Sequence, residues 1–204
     1  MSSARSAVGS GSEGAEATSA STAASTAAMV AAVLGVLGLL AFAAVNIVFE
    51  GTGRFAAGPL AAYASGLSVM NWLVVGLKLF GAVVLMLSVS RRATAFAPNT
   101  MTLLLWGAFG TFAVYALGTV AEAAVLATGI AGSPDDIDAA GVAYLLGAVS
   151  FAACFGVVAI SYSRRTRWRA VPIVAGLLGA PILLAGILVL APALLVALGV
   201  MPPL

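Results

Sequence analysis

Lys78, the only lysine in the chain, falls inside a long apolar run that extends from about 67 to 90. It lies 13 positions before Arg91, which along a helix is roughly 20 Å. A charge held that deep in hydrocarbon is costly and is by default a functional hypothesis. Tyr115 lies 14 positions into another apolar run, 101–127, at nearly the same depth. Glu122 follows one heptad later on the same helical face, roughly 10 Å farther out. Asn46 and Glu50, four residues apart, share a face near the end of a third run, 27–49. If these three segments are neighbours, all five residues converge in one half of the bilayer, with the Lys78 stem extending toward Tyr115 and Glu122. Two readings of such a cluster are open. It is a polar pocket or ion path, or it is an interhelical fastener that fixes packing. Hydrogen bonds in membranes contribute only about 0.6 kcal/mol on average, enough to set register but not to drive assembly.

Other chemistry is restricted by composition. The chain has no histidine, and Cys154 is its single cysteine. Serine–histidine and cysteine–histidine nucleophiles, Cys/His zinc sites and an intramolecular disulfide all lack their parts. Cys154 sits in apolar sequence, where a thiol behaves as a small hydrophobe. No phosphate-binding glycine loop, dinucleotide fingerprint or zinc-protease motif occurs. The expectation is a non-enzymatic protein with no cofactor and no metal.

The segments that carry these residues are defined by charge scarcity. Charged residues make up 8% of the 204 positions, a third of the roughly 25% usual in soluble domains, so this chain has too few polar groups to cover a globular surface. Apolar runs at about 27–49, 67–90, 101–127 and 139–162 each supply the roughly 20 residues needed to cross a bilayer. A fifth run occupies about 170–199 and contains Pro172, Pro181 and Pro192. It reads as one kinked helix, with a re-entrant piece after Pro192 as the alternative. Continuous apolar runs without alternation exclude barrel strands. The fold class is therefore an all-α membrane bundle of about five transmembrane helices. Residues 1–26, dominated by Ser, Ala, Gly and Thr, read as a disordered cytoplasmic tail. Ala41-Phe42-Ala43 also permits a cleaved signal peptide, although the long tail without dense positive charge argues against it.

Arginines set the orientation. Arg91 and Arg92 follow the second run, and Arg164, Arg165, Arg167 and Arg169 follow the fourth. Asp135, Asp136 and Asp138 occupy a connection without basic residues, and the 50–66 connection has only Arg54. Both arginine clusters inside place the N-terminus in the cytoplasm and the C-terminus outside. The net charge of +2 is small and lies at helix ends, which points to a lipid bilayer as partner and not to nucleic acid.

Ser88-Val89-Ser90-Arg91-Arg92 and Ser161-Tyr162-Ser163-Arg164-Arg165 lie 73 residues apart, with Val69, Leu73 and Val84 matched by Val142, Leu146 and Val157. This is either a direct repeat of the kind some transporters carry or convergence at two cytoplasmic helix ends. Ala148, Ala152 and Gly156, like Ala31 and Gly35, recur every four residues and suit close helix packing. Trp72 and Tyr144 toward one side, with Tyr162, Trp168 and Trp106 toward the other, read as interfacial anchors.

Leu77-Lys78-Leu79 with Gly81, Trp106-Gly107-Ala108 with Tyr115, and the arginine-rich end of the fourth run resemble a family of small bacterial four-helix membrane proteins of unknown function. The likeness covers about 69–168. It implies a bacterial cell membrane and carries no site residues. The proline-rich fifth run and the Ser/Ala tail depart from that pattern.

The function expected is that of an accessory or structural membrane subunit, associating with other membrane proteins or with itself. The alternative is a small transporter or channel component using Lys78, Tyr115 and Glu122. The topology is directly testable: cysteines introduced near residues 95 and 134 should label from opposite sides of sealed vesicles. Labelling from one side would contradict it.

Overall fold

A computed structural model describes residues 24–57, 61–90, 96–130, 132–133 and 139–202. The tail through residue 23, Arg91, Arg92, Asp135, Asp136 and Asp138 lie outside the described residues, and with them the disorder and the loop charges expected there. The described chain is all-α. It forms α1 (Thr26–Gly51), α2 (Ala64–Val89), α3 (Pro98–Ala127), α4 (Ala139–Arg165), α5 (Ala170–Ala185) and α6 (Ala191–Ala197), with a π-helical turn, Gly186–Leu190, joining the last two. Short 3₁₀ turns, Arg54–Ala56 and Ala61–Tyr63, precede α2. Five stretches are long and apolar enough to cross a membrane, the fifth being α5 through α6 as one span, Ala170–Ala197. The protein is a multi-pass membrane protein.

Local signals fix several helix ends. The Ser25 hydroxyl caps α1 by accepting from the Ala28 amide at 3.2 Å. Pro98 opens α3, where its missing N–H costs nothing. In the fifth span, Pro192 cannot donate to the carbonyl one turn back, and its ring crowds that carbonyl. The π turn immediately before it widens the helix there, with the Ala191 amide reaching back to the Gly186 carbonyl. The resulting bend carries the C-terminal segment across to the start of α2, where Met201 packs on Gly66.

Helix neighbours follow from which faces carry small residues. α1 buries Ala28, Ala32, Gly35, Leu39 and Ala43, a stripe at helical spacing that packs against both α2 and α4. α3 packs chiefly against α5 and α4. α2 lies mainly on α1 and touches α3 and α4 only lightly. In packing order the helices therefore run α2, α1, α4, α3, α5, and α2 and α3 stand apart across a groove. The second and fourth runs, which share the Ser-x-Ser-Arg-Arg ending, thus occupy unequal places, one at the edge and one in the centre. A repeat axis would have given them matching surroundings.

The core lies where α1, α2, α3 and α4 meet, around Leu39, Leu85, Leu105, Phe155 and Val158, all fully buried. An aromatic column crosses it. Phe42 meets Phe151 edge-on at 5.7 Å, Phe151 meets Phe112 at 5.2 Å, and Phe112 stacks on Phe155 at 5.6 Å. Tyr162, read from sequence as an interfacial anchor, is instead buried against this core. Trp106 turns its indole inward, donating from Nε1 to the Ser163 hydroxyl at 3.0 Å. Both sit on packed helix faces, which outweighs their position near helix ends. Trp72, Tyr144 and Trp168 are exposed, as an interfacial belt requires.

At Gly176 the backbones of α3 and α5 approach closely. A Cβ there would lie 2.7 Å from the Leu103 carbonyl oxygen and 2.9 Å from the Gly107 nitrogen. Both atoms are backbone and cannot rotate away. Gly176→Ala should therefore destabilise the fold by about 1–3 kcal/mol in a denaturant titration of the purified protein. Wild-type stability in this variant would show that α3 and α5 are not packed at this contact.

Candidate functional site

The stripe of α1 that buries Ala32, Leu39 and Ala43 continues toward the helix C-terminus through Asn46 and Glu50. On α2 the facing stripe holds Asn71, Val75, Ala82 and Leu85, with Lys78 in the same register. Polar residues therefore replace apolar ones on the touching faces of two helices, in the half away from the arginines. The amide of Asn71 is the hub. Its Nδ2 donates to the Asn46 carbonyl at 3.0 Å and to Glu50 Oε2 at 3.2 Å. Ser68 donates its hydroxyl to the other Glu50 oxygen. The Asn46 side-chain amide lies 3.2 Å from Lys78 Nζ, 3.3 Å from the Phe42 carbonyl and 3.2 Å from Asn71 Oδ1; assigning its oxygen toward the ammonium lets it accept from Lys78 and its Nδ2 donate to Phe42. The Lys78 ammonium also lies over the Phe42 ring, 5.0 Å from its centroid, within cation–π range.

The result is a ladder from the middle of α2 to the end of α1: Lys78, Asn46, Asn71, Glu50, Ser68. Its two opposite charges are joined through amides and not by a direct ion pair. Asn71 is buried, and Lys78, Asn46 and Glu50 are half-buried. Glu50 accepts from Asn71 and Ser68, and the Lys78 ammonium lies beside the Asn46 amide and over the Phe42 ring, which is what a low-dielectric site demands.

Of the five residues expected to converge, three do so: Lys78, Asn46 and Glu50. Tyr115 and Glu122 do not join them. Both are exposed on α3, and neither side chain is hydrogen-bonded to another described residue. The expectation that Lys78 turns toward Tyr115 required α2 and α3 to pack closely. They are separated by the groove, so the lysine stem turns to α1, the helix α2 does pack against. Sequence reasoning missed Asn71 and Ser68. Asn71 is one heptad from Lys78, the same spacing that links Tyr115 to Glu122, and that signal was readable.

The groove runs between α2, α3 and α5, with a volume of about 350 Å³. Among the described residues, Lys78 and Thr111 are its only polar linings. The Thr111 hydroxyl is already satisfied by its own helix, donating to the Gly107 carbonyl at 2.9 Å. The cavity that reaches Lys78 is thus apolar, and the ammonium's acceptors lie on the opposite, α1 side.

A second polar group ties the arginine-bearing ends together. Arg165 donates from Nη2 to the Ser88 carbonyl at 3.0 Å, joining α4 to α2, and its guanidinium lies 5.5 Å from the Tyr162 ring centroid. Arg169 donates from Nη1 to Asn99 Oδ1 at 2.7 Å, joining the start of α5 to the start of α3. Ser25 and Ser161 are 3.5 Å apart between α1 and α4. Compared with protein-family models, curated proteins and solved structures, the chain gives no match.

Proposed function

We propose that this protein is a non-enzymatic accessory or structural subunit of a bacterial cell membrane, with its N-terminus in the cytoplasm and its C-terminus outside. The observation that carries this reading is the enclosure of the polar site. Lys78, Asn46, Asn71, Glu50 and Ser68 bond to one another across the α1–α2 contact, and the cavity touching Lys78 is apolar. A site that uses its hydrogen-bonding groups on itself acts as a fastener. The broad exposure of apolar side chains on every helix leaves ample surface for lipid and for other membrane proteins or a second copy.

A second reading, a small transporter or channel component, draws on one feature: the ladder reaches the end of α1, since Glu50 is the penultimate residue of that helix. The two readings part in reconstituted liposomes and in native membranes. The accessory reading expects proton and potassium permeability no greater than that of protein-free liposomes, for the wild type and for Lys78→Met alike. It also expects cross-linking in native membranes to recover the chain in a complex of fixed stoichiometry. Recovery as free monomer, together with a flux abolished by Lys78→Met, would overturn it in favour of the second reading.

A further inference from the structure

The groove between α2, α3 and α5 has the dimensions of a hydrocarbon chain. It begins about five residues above the arginine-side helix ends, at Val84, Leu103 and Ala175, and ends at Val74, Phe112 and Ile187. That is about 15 Å of helix, or half the thickness of a hydrocarbon core. A slot of about 350 Å³ along that length, lined almost wholly by apolar side chains, suits one extended acyl chain. Beyond that end, Met201 packs on Gly66 and brings the C-terminal segment to α2.

Its other end carries positive charge. Asn99 lies one turn below Leu103 on α3, and it orients the Arg169 guanidinium through the 2.7 Å bond. That contact uses one of the five guanidinium donors, and the residue is exposed. Trp168 is exposed beside it, 6.4 Å from Trp106 between ring centroids, at the level where indoles meet headgroups. A phosphate diester pairs with a guanidinium in bidentate fashion, and basic sites between helices on the positively charged side suit anionic headgroups.

We propose that this groove binds one acyl chain of an anionic phospholipid from the arginine-side leaflet, with the lipid phosphate held by Arg169 beside Asn99. The site shares only Lys78 with the polar ladder and does not depend on the accessory reading. Its apolar lining selects a chain, and the guanidinium selects the charge.

The test uses the full chain, purified in mild detergent and exchanged against phosphatidylglycerol or phosphatidylcholine at equal mole fraction, with retained lipid counted by native mass spectrometry. The wild type should keep one phosphatidylglycerol, at about fivefold preference over phosphatidylcholine, the factor expected for one arginine at the headgroup. Arg169→Gln should abolish that preference. Gly179→Leu projects into the groove where a Cβ meets nothing within 4 Å, so it should fold normally and lose the retained lipid. Equal retention of both lipids by the wild type would overturn the proposal, as would undiminished retention by Gly179→Leu. Dimers lost on Gly179→Leu would mean that a second copy fills the groove, which would also overturn it.

Discussion

An ammonium halfway along an apolar helix must find acceptors, and the position of Lys78 makes that requirement the strongest constraint on how α2 sits. Insertion scales put an unrelieved lysine near a helix centre at about 2.5–3.5 kcal/mol. The relief comes from α1: the Asn46 amide at 3.2 Å and the Phe42 ring face at 5.0 Å. Asn46 is held in turn by Asn71, and Asn71 by Glu50. Each partner lies on the stripe through which the two helices already pack, so satisfying the charge and choosing the helix register are a single event. Sliding α2 along α1 by one turn, about 5.4 Å, would unpair the ladder's groups and lift Leu85 off Gly35, so the polar and apolar contacts set the same register.

Committing α2 to α1 has a consequence on its other side. α3 takes its neighbours elsewhere, against α4 through Phe109 on Gly156 and against α5 through the backbone contact at Gly176. Neither leaves a face for close packing on α2, and the groove is what remains between them. After the π turn before Pro192, the C-terminal segment reaches α2 with Met201 on Gly66. Three local features therefore border the cavity together: a lysine at its edge whose acceptors lie on α1, a glycine that brings α5 close to α3, and a proline preceded by a π turn in the last span. At the arginine-bearing end, Arg165 on Ser88 and Arg169 on Asn99 link α4 to α2 and α5 to α3 across the same region.

Much of this was legible in the residues. Scarce charge and five apolar runs led to an all-α membrane bundle, because lipid leaves the backbone no other way to satisfy itself. Asn46, Glu50 and Lys78 stood out as polar groups at depth, and they do meet. What failed was adjacency. The order of helices around a bundle is set by side-chain shape over many weak contacts, and Ala and Gly are too abundant here to identify the faces that touch. Assuming that consecutive helices pack led to Tyr115 and Glu122, across the groove from their expected partner. Asn71 was passed over as one amide in an apolar run, although its heptad relation to Lys78 marked it. Tyr162 and Trp106 were read by depth alone, and burial on a packed face decided their roles.

The account stands on Lys78 and Asn71 facing α1. Cysteine pairs joined by a short bifunctional thiol reagent test this most directly, in native membranes and in a Cys154→Ala background that removes the single native thiol. Glu50→Cys with Asn71→Cys should cross-link rapidly and in high yield, because the native side chains are hydrogen-bonded. Lys78→Cys with Glu122→Cys should remain unlinked. Efficient linkage of the second pair without the first would place α2 against α3 and contradict the arrangement.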